Sequence, residues 1–189
     1  MHHAGYVLAG GNSSRMGRDK ALMRYGATTL LQHIANTVAE AAGAASVIGD
    51  PDRYGSYGYP VHPDRIPGCG PAGGIFTALS ITHSPWNLIV GCDMPLLNAG
   101  TLERLLEIAD LSQGKCVVPL GAGCQPQPLC AVYHVECLAA FEQALQDKRL
   151  KMTDLVKEMD AVLVSGLDPA IFLNVNTPED WGGVDQSNS

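Results

Sequence analysis

The chain has 189 residues, with 12 Lys and Arg against 19 Asp and Glu, a formal charge of −7 and a pI near 5.2. Its 46% apolar and 16% charged residues exclude a disordered chain, and the acidic balance argues against a reader of nucleic-acid backbone. No run of about 18 apolar residues is present, so no membrane span is expected, and the length predicts a single domain over 1–181 with a polar, frayed tail over 182–189.

Tyr6-Val7-Leu8 is a short apolar run that enters Ala9-Gly10-Gly11, which predicts a buried strand leading into a glycine-rich turn. No basic segment with an apolar stretch precedes it, so no signal peptide is expected. From Thr29 the period changes. Leu30, Leu31, Ile34, Ala35, Val38 and Ala42 fall at helical spacing, and Gly43 is a stop. Ala45–Ile48 predicts a second strand and 59–62 a third. The glycines and prolines of 66–71 predict an irregular loop, with a short helix following over 73–82. The clearest strand is 87–91, apolar through its middle and ending at Asp93. Leu102, Leu105, Leu106 and Ala109 define another helix, capped by Asn98. Strands over 115–120 and 129–133 flank the turn signal Gly121-Ala122-Gly123. Helices over 138–145 and 152–159 and a strand over 161–164 complete the pattern. Strands apolar on both faces, alternating with helices, predict an α/β fold with a mostly parallel sheet covered on both sides.

Six cysteines, Cys69, Cys92, Cys116, Cys124, Cys130 and Cys137, form no C-x-x-C pair and no zinc-like spacing with histidine. They read as free thiols in a reducing, cytoplasmic setting.

Chemistry concentrates after the first strand, in Leu8 through Lys20. In α/β folds, ligands bind at the carboxyl ends of strands. Gly10 and Gly11 let backbone N–H groups approach anionic oxygens, Ser13 and Ser14 add hydroxyl donors, and Arg15 and Lys20 add positive charge. Phosphate binding is the natural reading, although neither the P-loop nor the G-x-G-x-x-G fingerprint is present. The second concentration is Gly91-Cys92-Asp93-Met94-Pro95, which puts a carboxylate at the end of the strongest strand. A carboxylate beside phosphates needs a cation between them, and Mg²⁺ is the usual one. The competing reading is an Asp that only shapes the turn before Pro95.

Leu8-Ala9-Gly10-Gly11-x-Ser13-x-Arg15-Met16-Gly17-x-Asp19-Lys20 resembles the signature of the MobA-like nucleotidyltransferases. Gly91 through Leu97 resembles their metal-site strand end, Gln127-Pro128-Leu129 their Gln-Pro-Leu strand, and Asn174 through Asp180 their C-terminal signature. The Leu-Ala-Gly-Gly form and the loop Gly70-Pro71-Ala72-Gly73-Gly74 are similar to the guanylyl-type branch that acts on the molybdenum cofactor. The resemblance implies a single-domain, Rossmann-like, nucleotide-diphospho-sugar-transferase-like fold. It implies GTP and molybdopterin cofactor as substrates, Mg²⁺ as cofactor, and transient contact with molybdoenzyme apoproteins or cofactor-biosynthesis proteins. It carries over Leu8, Ala9, Gly10, Gly11, Ser13, Lys20, Asp64, Gly70, Pro71 and Asp93 as nucleotide-binding. Arg15, Lys20 and Asp93 are implied as catalytic, with Asp93 the metal ligand, and Gln127, Asn174 and Asn176 as acceptor-binding.

One departure stands out. The resembled family has an Asn just after the second strand, contacting the nucleotide; here Ile48 is followed by Gly49-Asp50. Either Asp50 takes that contact or it is lost. Two rival functions remain at this point: a related transferase using CTP or a sugar phosphate, and a nucleotide-binding adaptor without turnover.

Overall fold

The computed structural model describes residues 3–10 and 19–175; the expected tail over 182–189 lies outside them. In chain order, β1 (His3–Leu8) is followed after Asp19 by a single helical turn, Lys20–Leu22, and by the small hairpin of β2 (Arg24–Tyr25) and β3 (Thr28–Thr29). Then come α1 (Leu30–Ala42), β4 (Ala45–Ile48), α2 (Pro51–Tyr54), β5 (Val61–His62), α3 (Gly70–Ile81) and β6 (Trp86–Gly91). The remainder is α4 (Ala99–Leu111), β7 (Cys116–Pro119), β8 (Cys130–His134), α5 (Leu138–Gln146), α6 (Met152–Glu158) and β9 (Ala161–Val164).

Local chemistry accounts for the helix ends. Thr29 caps α1 through a reciprocal box, in which its hydroxyl accepts from Gln32 N and Gln32 Oε1 accepts from Thr29 N. Asn98 caps α4 by accepting from Thr101 N at 3.0 Å. The helix expected over 73–82 starts three residues earlier, at Gly70. Pro71 is the reason. In the first turn of a helix its missing N–H costs nothing and its fixed φ suits the helix, so a residue that reads as a breaker acts as a starter.

Among the described residues, seven strands form one sheet in the order β5-β4-β1-β6-β8-β7-β9. Six run in one direction and β8 runs against them, pairing antiparallel with β6 and with β7. The mostly parallel α/β architecture expected from the sequence is therefore the one found. Side chains alternate between two layers. Val7, Val47, Leu88, Val90 and Val117 face α1 and α4, while Tyr6, Ile48, Ile89, Val118 and Tyr133 face α3, α5 and α6. β6 is buried along its whole length, as its unbroken apolar middle requires. Full burial of Leu88 and Ile89 contributes roughly 1.5–3 kcal/mol each. No helix among the described residues is long and apolar enough to cross a membrane.

β1 lies between β4 and β6, so the chain leaves β1 toward one side of the sheet and later returns to the other. This reversal makes the β1–β6 border the crevice where open α/β sheets take ligands.

Candidate functional site

The crevice is made level by backbone bonds. Leu8 pairs with Gly91 at the ends of β1 and β6, and beyond them Cys92 N donates to Leu8 O at 3.2 Å and Ala9 N to Ile48 O at 2.9 Å. Ala9 and Cys92, where the chain leaves β1 and β6, thus lie side by side.

Lys20 and Asp93 meet there, with Lys20 Nζ 3.7 Å from Asp93 Oδ2. Their side chains are 20% and 23% exposed, so both are largely desolvated. A lysine in a glycine-rich loop would ordinarily face solvent or ligand; here its ammonium leans onto the carboxylate. Burial pushes the Asp93 carboxyl above the ordinary carboxylate range, and the Lys20 ammonium opposes that shift without cancelling it. Room for the carboxylate comes from Gly91. A Cβ there would stand 3.0 Å from Asp93 Oδ1 and 3.5 Å from Leu129 Cβ.

The turn carrying Asp93 is clamped from below. His33 Nε2 donates to Pro95 O at 3.0 Å, and Tyr25 OH donates to the same carbonyl at 3.3 Å, with the two rings packed at 4.4 Å. Burial lowers the His33 pKa, which favours the neutral ring donating from Nε2. From above, Val175 N donates to Asp93 O at 2.8 Å, so the peptide between Asn174 and Val175 lies against the Asp93 backbone. The Asn174 side chain is exposed beside it. Cys92 is buried next to Asp93, and burial followed by that neighbouring charge pushes its thiol up, which leaves a poor nucleophile.

Other expected site residues surround this centre. Leu8 packs on α3, where a Cβ at Gly74 would stand 3.1 Å from Leu8 Cδ2. Ala9 is buried, and Gly10 is exposed with φ at +120°, a value that favours glycine. Gly70 and Pro71 form the exposed start of α3. Asp64 Oδ1 accepts from Ile66 N and from Thr77 Oγ1, both at 3.0 Å, which ties the 63–69 loop to α3. Gln127 N donates to Pro119 O at 2.9 Å and its Nε2 to Gln125 O at 3.2 Å, so Gln127 stitches the loop between β7 and β8. Gly11, Ser13, Arg15 and Asn176 lie outside the described residues.

The departure at Gly49 has a physical reason. A Cβ there would stand 2.6 Å from Ala9 O and 2.8 Å from Tyr54 Cδ2, closer than real side chains come. An Asn cannot occupy the position without moving the end of β1 or Tyr54. Asp50 is already engaged: Oδ1 accepts from Asp52 N at 3.0 Å to cap α2, and Oδ2 pairs with Arg53 Nε at 3.7 Å. Gly49→Ala is therefore expected to destabilise the fold by roughly 1–3 kcal/mol, the usual range for overpacking. Urea unfolding of the two proteins measures it, and an unchanged midpoint would speak against the close approach.

Among the described residues, no three or more His, Cys, Asp or Glu gather as a metal cluster. Asp93 offers a hard carboxylate donor at the crevice, at the end of β6. That fits Mg²⁺, which keeps several waters and takes one or two protein carboxylates together with substrate phosphates.

Comparison with known proteins agrees with this geometry. Residues 5–162 match the family described as the MobA-like NTP transferase domain. The "Molybdenum cofactor guanylyltransferase" of Mesorhizobium japonicum is 34% identical, with 94% of this chain and 91% of that protein covered. A Bacillus subtilis protein named "Probable molybdenum cofactor guanylyltransferase" is 31% identical over 100% of this chain and 98% of its own. The crystal structure of molybdopterin-guanine dinucleotide biosynthesis protein A from Archaeoglobus fulgidus shares the fold, at a TM-score of 0.82 and 20% identity over 98% of each chain. The matched span takes in both strands of the crevice and both loops that follow them, and the relatives align almost from end to end. On that ground the chain belongs to the MobA-like NTP transferase family of nucleotidyltransferases.

Proposed function

We propose that this protein transfers GMP from GTP to the terminal phosphate of the molybdopterin cofactor, releasing pyrophosphate. The observation that carries the reading is the Lys20–Asp93 pair at the β1–β6 crevice, a cation and a carboxylate 3.7 Å apart with little water around them. The names of the full-length relatives supply the substrates.

An oxygen of the acceptor's terminal phosphate attacks the α-phosphorus of GTP, and the bond from that phosphorus to the β-phosphate bridge breaks. Both partners are anions, so the protein's task is to hold them in line and offset their repulsion. Lys20 binds the triphosphate and neutralises charge on the departing pyrophosphate. Arg15, Ser13 and the backbone N–H groups of Gly10 and Gly11 add donors, as the family resemblance implies. Leu8, Ala9, Asp64, Gly70 and Pro71 bind the nucleotide, as the family resemblance implies. Gln127, Asn174 and Asn176 receive the acceptor. Asp93 holds Mg²⁺, which when bound supplies positive charge at the phosphates. No protein nucleophile or proton relay is needed, because the acceptor phosphate is already ionised. The six free cysteines accord with a reducing cytoplasm as the place of reaction.

Pyrophosphate release with molybdopterin as acceptor and GTP, CTP or ATP at equal concentration tests this reading. GTP is expected to exceed the others by about tenfold or more. A preference for CTP would move the protein to the cytidylyl branch, turnover only with a sugar phosphate would give it another acceptor, and no turnover with any acceptor would make it an adaptor.

A further inference from the structure

The turn that begins with Lys20 is held by a side chain that belongs to none of the sequence motifs. Tyr54, the last residue of α2, is 1% exposed. Its hydroxyl donates to Asp19 Oδ2 at 2.7 Å. The other oxygen of Asp19 accepts from Ala21 N at 3.1 Å and caps the turn Lys20–Leu22. Asp19 is thus used at both oxygens, one tied to the sheet-side packing of Tyr54 and one to the backbone that presents Lys20. Gly49 gives the Tyr54 ring its place, since any Cβ there would enter it.

We propose that Tyr54 is a positioning residue for nucleotide transfer, acting through Asp19 to aim Lys20 at the phosphates. This rests on the reading of Lys20 as the phosphate-binding lysine. Two further facts support it. Burial, and after it the Asp19 carboxylate, push the Tyr54 phenol well above its ordinary range, so the hydroxyl stays a donor at any working pH. Among the described residues, the cation paired with Asp19 is Arg53, 3.5 Å away and 61% exposed, and such surface pairs contribute little. Among the described residues, Tyr54 is therefore the main tertiary hold on that carboxylate.

The test is a double-mutant cycle on the full chain, following pyrophosphate release with GTP and molybdopterin. Tyr54→Phe removes one oxygen and keeps the ring. It is expected to lower kcat/KM about tenfold, within the roughly hundredfold that a 1 Å misplacement can cost. The melting temperature should fall by only about 2–4 °C. In a Lys20→Ala background the same change should leave kcat/KM where it was, because the lysine to be aimed is gone. Asp19→Ala breaks the link from the other side and serves if the Phe variant folds poorly. A wild-type rate for Tyr54→Phe, or the same fold loss in both backgrounds, would overturn the proposal and leave the role of Lys20 intact. A wild-type rate for Lys20→Ala alone would overturn both, which separates the two failures.

Discussion

Asp93→Asn is expected to lower the rate of GMP transfer by about a hundredfold or more and to leave the melting temperature unchanged or higher. The two halves of this result come from one cause. Asp93 is a carboxylate in a largely desolvated crevice, and burial raises its pKa despite the neighbouring Lys20. A carboxyl whose folded pKa lies above its unfolded one binds its proton more tightly when folded. Ionising it therefore costs stability as pH rises through the window between the two values, and the cost is fully present above the folded one. Asn keeps the shape and the turn and removes the charge. Against this, Lys20 loses its partner, which offsets part of the gain. Function needs the charge, because a neutral amide neither holds Mg²⁺ well nor sets the charge balance beside the triphosphate. Such losses at a charge-stabilising position cost about 2–4 kcal/mol of transition-state stabilisation. Steady-state rates across a Mg²⁺ series, with calorimetry on the same samples, decide the matter, and partial recovery with Mn²⁺ is expected. An active Asn variant with an unchanged Mg²⁺ response would return Asp93 to the bland role of shaping the turn. The same raised pKa predicts that, without Mg²⁺, Asp93 takes up its proton above the ordinary carboxylate range.

Lys20→Ala should lose about a hundredfold in rate as well, but with the opposite effect on stability. Removing the ammonium leaves Asp93 desolvated and without its nearest counter-charge. Stranding a buried acceptor in this way costs roughly 1–3 kcal/mol. Read from its glycine-rich loop alone, Lys20 would be expected to tolerate replacement without loss of stability; the pairing reverses that expectation. The sharper measurement is the double variant. With Asp93 also changed to Asn, neither charge remains, and stability should return toward that of the wild type while activity stays lost. Equal destabilisation by Lys20→Ala with and without Asp93 would mean that the pair is not coupled. A wild-type rate in Lys20→Ala would remove the lysine from the mechanism.

How far the site can be read in the chain differs from residue to residue. Lys20 and Asp93 stand out because each follows an apolar strand into a turn, and strand ends are where such sheets place ligands. Tyr54, Tyr25 and His33 do not stand out in that way. Tyr54 and Asp19 are 35 residues apart, and His33 and Pro95 are 62 apart. Nothing in local spacing announces that the members of either pair meet. His33 reads as an ordinary helix residue and turns out to hold the backbone beneath Asp93. Asp64 and Gln127 are legible as polar residues near glycine-rich loops, yet their side-chain bonds go to their own loops and to α3.

By itself the sequence determined the class of fold and the longer strands and helices, because both depend on periodicity; the short β2–β3 hairpin and α2 emerged only in the structure. Short apolar runs such as 88–90, bounded by turn residues, fit strands buried on both faces, and the spacing from Leu30 to Ala42 fits a helix. It also determined the family, through motifs spread from Tyr6 to Asp180. Tertiary structure alone decided three things. The direction of β8 against its neighbours is one, since a strand's own pattern is the same whichever way it runs. The necessity of Gly49 is another, since it arises from the approach of Ala9 and Tyr54 from other elements. The balance of charge at Asp93 is the third, because a pKa depends on what desolvates a group and what stands opposite it, and for Asp93 both come from residues distant in the chain.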